Sequence, residues 1–288
     1  CDRSHGANGF RYSNQLKTRL SGPGSRLPVK SEKRPMPASA EFQQRLESRL
    51  SAVIRHFGTP FHIYDEKGIK ETCAGLSNAF AGIPGFQEYF AVKALPNPAI
   101  LKIIQGMGFG FDCSSIAELE LSRQLGARGE QIMFTSANTS RQEYLAAAAD
   151  GGCILNLDDV SFVDKVPDMP ELICFRYNPG ERRTGNSIIG NPVEAKYGVA
   201  HDQIVAAYQR AMKRGATRFG LHTMLASNER EYSYMVETAR MLLELVKWIS
   251  GELDIKFEFI NIGGGLGIPY RPGESRLDIQ SMAKEITA

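Results

Sequence analysis

Glu88–Leu101, EYFAVKALPNPAIL, places one lysine at the end of a short apolar run. Tyr89, Phe90, Ala91 and Val92 read as a buried strand, and Pro96 and Pro98 prevent its continuation as helix or central strand. Lys93 therefore falls where a strand gives way to a loop. Two readings are open there. The stem packs while the amine reaches water, as at most strand ends, or the amine sits in a cleft and forms a Schiff base with a carbonyl cofactor.

Working outward toward the C-terminus, the same kind of apolar run recurs at Gly110–Cys113, Gln131–Thr135, Cys153–Leu157, Leu172–Tyr177, Phe219–Leu221 and Phe257–Ile262. Helical spacing lies between most of them, at Ser115–Leu125, Ser140–Ala149, His201–Arg214 and Glu229–Ser250. Strands alternating with helices predict parallel βαβ units. Seven such strands in one series predict an α/β fold of the TIM-type (β/α)8 barrel class, and a complete barrel has eight. The chain stops at Ala288, inside the helix after the seventh strand, so a fragment truncated before the eighth strand is expected.

Toward the N-terminus, Glu41–His56 carries helical spacing, Phe61–Tyr64 reads as a strand and Lys67–Ala81 as a helix. The segment 41–64 is thus expected to lead into a barrel that occupies 65–288. Residues 1–40 carry eight Lys and Arg against Asp2 and Glu32, with scattered Gly, Ser and Pro and no period, which predicts a disordered basic extension. The chain opens with Cys1 and its first methionine is Met36, so the natural start is expected near Met36.

Composition narrows the function classes. The 288 residues carry 34 Lys and Arg against 32 Asp and Glu, and a net charge of +2 gives no footprint for nucleic acid. Five cysteines without a Cys-x-x-Cys pair suit a reducing cytoplasm. No apolar run reaches the roughly 20 residues of a membrane helix.

In such a barrel, chemistry collects at the C-terminal ends of the strands. Those ends carry Lys93; Asp112, Cys113, Ser114 and Ser115; Thr135, Ser136 and Asn138; Asn156, Asp158 and Asp159; Arg176, Tyr177 and Asn178; His222, Ser227 and Asn228; and Gly263, Gly264, Gly265 and Gly267. The run Asn261–Tyr270, NIGGGLGIPY, offers bare backbone N–H groups to an anion; a tight turn at positive φ is the rival reading and needs only one glycine. A phosphate-bearing cofactor that also takes a lysine Schiff base is pyridoxal 5′-phosphate. Asp112 either orients the lysine or caps the following helix, Arg176 pairs with cofactor or with a neighbouring carboxylate, and His222 alone reads as structural or catalytic.

With these residues in place, TPFHIYD, YFAVKALPNP, GFDCSSIAEL, ILNLDD, RYNPG, KYGV, GLHTMLASN and INIGGGLGI, spread from Thr59 to Ile268, resemble the pyridoxal-phosphate decarboxylases of the alanine-racemase-like barrel fold, the diaminopimelate decarboxylases most closely. The resemblance implies that Lys93 is the Schiff-base lysine, that Gly263, Gly264 and Gly265 with Ser227 hold the phosphate, and that Asp112 and Arg176 surround the lysine and ring. His222 matches the first histidine of the family's G-L-H-x-H-I-G-S run, but Met224 stands where the second packs on the cofactor face; a thioether also packs on an aromatic face.

The resemblance further implies decarboxylation of meso-2,6-diaminopimelate to L-lysine and CO2 by a cytoplasmic homodimer. Ornithine, arginine or a carboxylated polyamine precursor is the alternative substrate, and a non-catalytic cofactor-binding or regulatory barrel is the alternative from another class. The family's E-P-G-R strand and C-terminal β-domain do not occur in the sequence, so these residues alone are expected to bind cofactor poorly and turn over slowly.

Overall fold

The computed structural model describes residues 39–195, 197–271 and 273–288. Apart from Ser39 and Ala40, which cap and open the first helix, the expectations for residues 1–40 fall outside the described residues.

The barrel strands are β1 (Tyr89–Ala91), β2 (Gly110–Cys113), β3 (Gly129–Ser136), β4 (Cys153–Leu157), β5 (Leu172–Arg176), β6 (Arg218–His222) and β7 (Phe257–Asn261). They form one all-parallel sheet in sequence order, as expected for consecutive right-handed βαβ units. Its curl follows from side-chain contacts. Tyr89 of β1, Met133 of β3, Ile154 of β4, Leu172 and Cys174 of β5, and Phe259 of β7 share one apolar cluster. In a flat sheet, strands six places apart lie ~29 Å from one another at ~4.8 Å per strand, so these residues meet only because the sheet wraps around them. Among the described residues the sheet has seven strands.

Side chains alternate along each strand, so Phe111, Cys113, Ile132, Phe134, Leu155, Leu157, Ile173, Phe175, Phe219 and Leu221 point the other way, into the main core beneath the helices. Those helices are α3 (Glu66–Ala79), α4 (Pro98–Gly106), α5 (Ile116–Gln124), α6 (Arg141–Ala148), the short α7 (Phe162–Lys165), α8 (Ile204–Lys213), α9 (Tyr232–Leu253) and α10 (Ile279–Thr287), preceded by α1 (Ala40–Glu47) and α2 (Leu50–Phe57). Met235 and Val236 of α9, Met282 and Ala283 of α10, and Phe80 after α3 form one cluster, and Cys73 of α3 packs with Ile100 and Ile104 of α4. Helices therefore run without a break past the open edge between β7 and β1.

Two expectations for the leading segment are corrected. The single helix over Glu41–His56 is two helices parted at Ser48 and Arg49, neither burying a residue. Phe61–Tyr64 pairs with no strand among the described residues, and Ile63 and Tyr64 are exposed. A strand needs a partner edge, which a local apolar pattern cannot supply. No described helix is long and apolar enough to cross a membrane.

Candidate active site

The C-terminal mouth begins with Lys93. Ala91 ends β1, and Val92–Ala94 make one turn of 3-10 helix before Asn97 caps α4 through Ala99 N–H at 3.0 Å. Val92 is fully buried in the main core while Lys93, the next residue, is exposed. The turn is thus pinned by one side chain and offers the adjacent amine to the mouth.

Asp112 stands beside it, since its register partner on β1 is Ala91. Its carboxylate accepts a hydrogen bond from Thr135 Oγ1 at 2.9 Å. Burial pushes its pKa up to about 6, against the pull of the Thr135 hydroxyl, Lys93 and Arg176, while Glu118 adds to the rise. Asp112 does not cap α5. That role falls to Ser115, whose Oγ accepts from Glu118 N–H at 3.4 Å, while the Glu118 carboxylate takes Ser114 Oγ at 3.1 Å and Ser115 Oγ at 2.9 Å.

Two strands further round, Asn156 Nδ2 donates to Thr135 Oγ1 at 3.2 Å and lies 2.8 Å from His222 Nδ1. Nδ2 is a donor only, so Nδ1 accepts and the imidazole hydrogen resides on Nε2. Burial, and secondarily the Arg176 charge, lower the His222 pKa to about 3, so the ring is neutral over the physiological range. Arg176 is held by Asp158 at 3.4 Å and lies 4.1 Å over the Tyr197 ring. Of its two readings, pairing with a neighbouring carboxylate is the contact present.

The glycine run completes the mouth and is packed against the loop after β6. Gly263 N–H donates to Asn261 Oδ1 at 2.9 Å, and Gly264 N–H points at Met224 Sδ at 3.2 Å. Glu229 N–H donates to Gly265 O at 2.8 Å, Gly267 N–H to Glu229 O at 2.7 Å and Ile268 N–H to Asn228 Oδ1 at 2.9 Å. A Cβ on Gly263 would collide with Thr223 O, and one on Gly265 with Ala226 O while standing 2.9 Å from Ser227 N; both residues have positive φ, +80° and +83°. Close packing of two loops therefore requires two of the three glycines. Gly264 is different, because a Cβ there would meet nothing within 4 Å. That side of the turn is open to an anion such as a phosphate, with Ser227 beside Gly265, although the Gly264 N–H is at present turned to Met224 Sδ.

The structure brings Lys93, Asp112, Arg176 and His222 to one mouth with the Gly263–Gly265 loop and Ser227. Thr135, Asn156 and Asp158 stand at strand ends in the sequence but acquire their meaning only from contacts made here. Glu118 was missed, and its signal was the S-x-x-E spacing from Ser115 that marks a helix start. Among the described residues no group of His, Cys, Asp and Glu could hold a metal ion.

Residues 66–288 match the family model for the pyridoxal-binding domain of pyridoxal-dependent decarboxylases. The chain is 42% identical over 248 residues to Protein TabA of Pseudomonas amygdali pv. tabaci, covering 86% of this chain and 59% of that protein. It is 32% identical to the diaminopimelate decarboxylase of Methanothermobacter thermautotrophicus, covering 80% of this chain and 55% of that one. The solved diaminopimelate decarboxylase of M. jannaschii in complex with L-lysine superposes with a TM-score of 0.73 at 23% identity, over 82% of this chain and 57% of that one. The chain thus spans less than two thirds of the length of these relatives.

Proposed function

This chain belongs to the pyridoxal-dependent decarboxylases, and we propose that the complete protein removes a carboxylate from an amino acid, with Lys93 as the residue that holds pyridoxal 5′-phosphate. The observation that carries the assignment of the site is the meeting of an exposed strand-end lysine, a buried carboxylate and an open glycine backbone at one barrel mouth. When bound, the cofactor supplies an electron sink for the pair left by the departing carboxylate.

The chain's own residues do the rest. Lys93 would hold the cofactor through its side-chain amine. Asp112, ionised above about pH 6, balances the Lys93 charge and is a buried base at the same mouth. The Gly264 backbone, once its N–H leaves Met224 Sδ, and Ser227 would hold phosphate oxygens. Arg176, fixed by Asp158 and the Tyr197 ring, presents a positive charge to that mouth. His222 is a neutral hydrogen-bond donor through Nε2.

The substrate we propose is meso-2,6-diaminopimelate, with L-lysine and CO2 as products, formed by a cytoplasmic homodimer. Identity of 30–32% to proteins named diaminopimelate decarboxylase supports it. A second reading, a different amino acid, is favoured by the higher identity to Protein TabA together with Met224 in place of the family histidine.

The test adds pyridoxal phosphate to the natural full-length protein, reduces with borohydride, maps the labelled peptide and measures CO2 release from meso-diaminopimelate, ornithine, arginine and lysine. Label on Lys93 with CO2 from diaminopimelate is the expected result. Label elsewhere or none overturns the site, while label on Lys93 with CO2 from another amino acid moves the substrate to the second reading.

A further inference from the structure

The mouth contains a polar relay through Thr135 and Asn156, two residues to which the reaction as proposed gives no role. It starts at Asp112 on β2, crosses Thr135 on β3 and Asn156 on β4, and ends at His222 on β6. Each direction along it is dictated by the one before. An ionised carboxylate has lone pairs only, so the Thr135 hydroxyl must donate to Asp112. Its oxygen is then free to accept from Asn156 Nδ2. The same amide nitrogen faces His222 Nδ1, which is left to accept.

The cost of this orientation is visible. Asn156 is 2% exposed and its Oδ1 is buried without a partner, although an amide oxygen normally finds a donor. Turning the amide over would satisfy Oδ1 at Thr135 and His222 but would leave Thr135 nothing to donate to Asp112. The charge on Asp112 selects the orientation with the orphaned oxygen.

We infer that Asn156 is a positioning residue that sets the tautomer of His222, and that a proton taken up by Asp112 reverses the relay and moves the imidazole hydrogen from Nε2 to Nδ1. With Asp112 neutral, its O–H donates to Thr135 Oγ1, the Thr135 hydroxyl turns to donate to Asn156, the amide flips so that Oδ1 accepts from both Thr135 and His222, and Nδ1 must carry the hydrogen. One proton enters from solvent and stays on Asp112. The imidazole gives up its Nε2 proton to solvent and takes one at Nδ1, so its own count is unchanged.

The titratable groups facing Asp112 are Lys93 from the turn after β1, Cys113 beside it on β2, Glu118 from α5, Cys174 and Arg176 from β5 and Glu88 just before β1; the one facing His222 is Arg176, which Asp158 already holds. Asp112 titrates near the lower edge of the physiological range. His222 Nδ1 is taken by Asn156, so Nε2 is the ring nitrogen left for a ligand. This inference rests on the proposed function only in its consequence, which is that His222 offers such a ligand an N–H above that pH and a lone pair below it.

The experiment labels histidine with 15N in the natural full-length protein and reads the two His222 ring nitrogens from pH 8 to pH 5, assigned by difference against His222→Gln. The expected result is an Nε2–H ring at pH 8 that becomes an Nδ1–H ring with a midpoint near 6, a Thr135→Val variant in which that change is lost, and a Thr135→Ser variant in which it returns. Should Thr135→Val not fold, Asn156→Asp serves, because a carboxylate can only accept and holds His222 as Nδ1–H at both ends of the range. A wild-type tautomer constant from pH 8 to pH 5, or an unchanged transition in Thr135→Val, overturns the inference. Borohydride labelling on the same samples keeps the two readings separate: a tautomer change without label on Lys93 sinks the function and leaves the relay standing, and the converse sinks the relay alone.

Discussion

The two ends of the barrel both carry charge, and they use it in opposite ways. At the N-terminal end, Arg218 of β6 holds Glu258 of β7 through two bonds, at 2.7 and 2.8 Å, and reaches Glu130 of β3 at 2.6 Å. These groups are about half exposed, their charges answer one another, and the Glu258 carboxyl is held below its usual range. At the C-terminal mouth, Asp112 is buried with its pKa raised, His222 is buried with its pKa lowered, and Asn156 keeps an orphaned oxygen. Groups that satisfy each other close a barrel; groups held in unfavourable protonation states at a strand-end cleft mark where reaction is paid for.

The comparison breaks most decisively at Lys93. In the full-length protein Lys93→Ala should reduce turnover by at least ~10³-fold while thermal unfolding stays within ~1 °C, because the lysine is exposed. Retained CO2 release would remove the functional claim on the mouth.

Asp112→Asn comes next and should move activity and stability in opposite senses. The folded carboxyl titrates at about 6 against an ordinary 3.8, so the native state keeps a proton that the unfolded chain has released, and stability falls as pH rises across that interval. Removing the charge should stabilise by about 3 kcal/mol at pH 8, with no gain below pH 4, while turnover drops by roughly 100-fold. Denaturant melts at both pH values together with the CO2 assay decide it; loss of stability at pH 8 would contradict the raised pKa. His222 carries the opposite sign, since a folded pKa of about 3 against 6.5 removes stability as pH falls through that range.

Inside the barrel, Gly220→Ala puts a Cβ into the Phe259 ring. Overpacking of this kind should cost about 2 kcal/mol by urea melting. A neutral result would mean that β6 and β7 are less tightly packed than described. The smallest effect belongs to the N-terminal end, where Arg218→Gln should cost at most about 1 kcal/mol and leave turnover unchanged. A large activity loss there would abolish the distinction between the two ends.

Much of the fold was legible because each barrel strand is a buried apolar run. Gly110–Cys113 and Cys153–Leu157 coincide with β2 and β4 to the residue. The strand expected over Tyr89–Val92 is shorter by one because Val92 turns into the core, and α7, at four residues, is too short to show a period. The paired fate of Phe61–Tyr64 depended on an edge that the sequence does not place. The candidate site was legible as a set of strand ends but not as contacts. Asn156 and His222 are 66 residues apart, and their bond spans β5 between strands whose register pairs Asn156 with Cys174 and His222 with Arg176, a cross-strand contact no local pattern announces. The glycine run was read as an anion signal for all three residues; packing explains Gly263 and Gly265, and only Gly264 remains open.

The loops after β6 and β7 are joined by three hydrogen bonds from Glu229, Gly267 and Ile268 and by Met224 over Gly264, so neither has a conformation of its own. They should open to solvent as one cooperative unit, with amides from 224–229 and 263–268 exchanging deuterium at a common rate under native conditions. Evolution should see them the same way: an insertion tolerated in one loop requires a compensating change in the other, and the pair diverges as a single inherited piece.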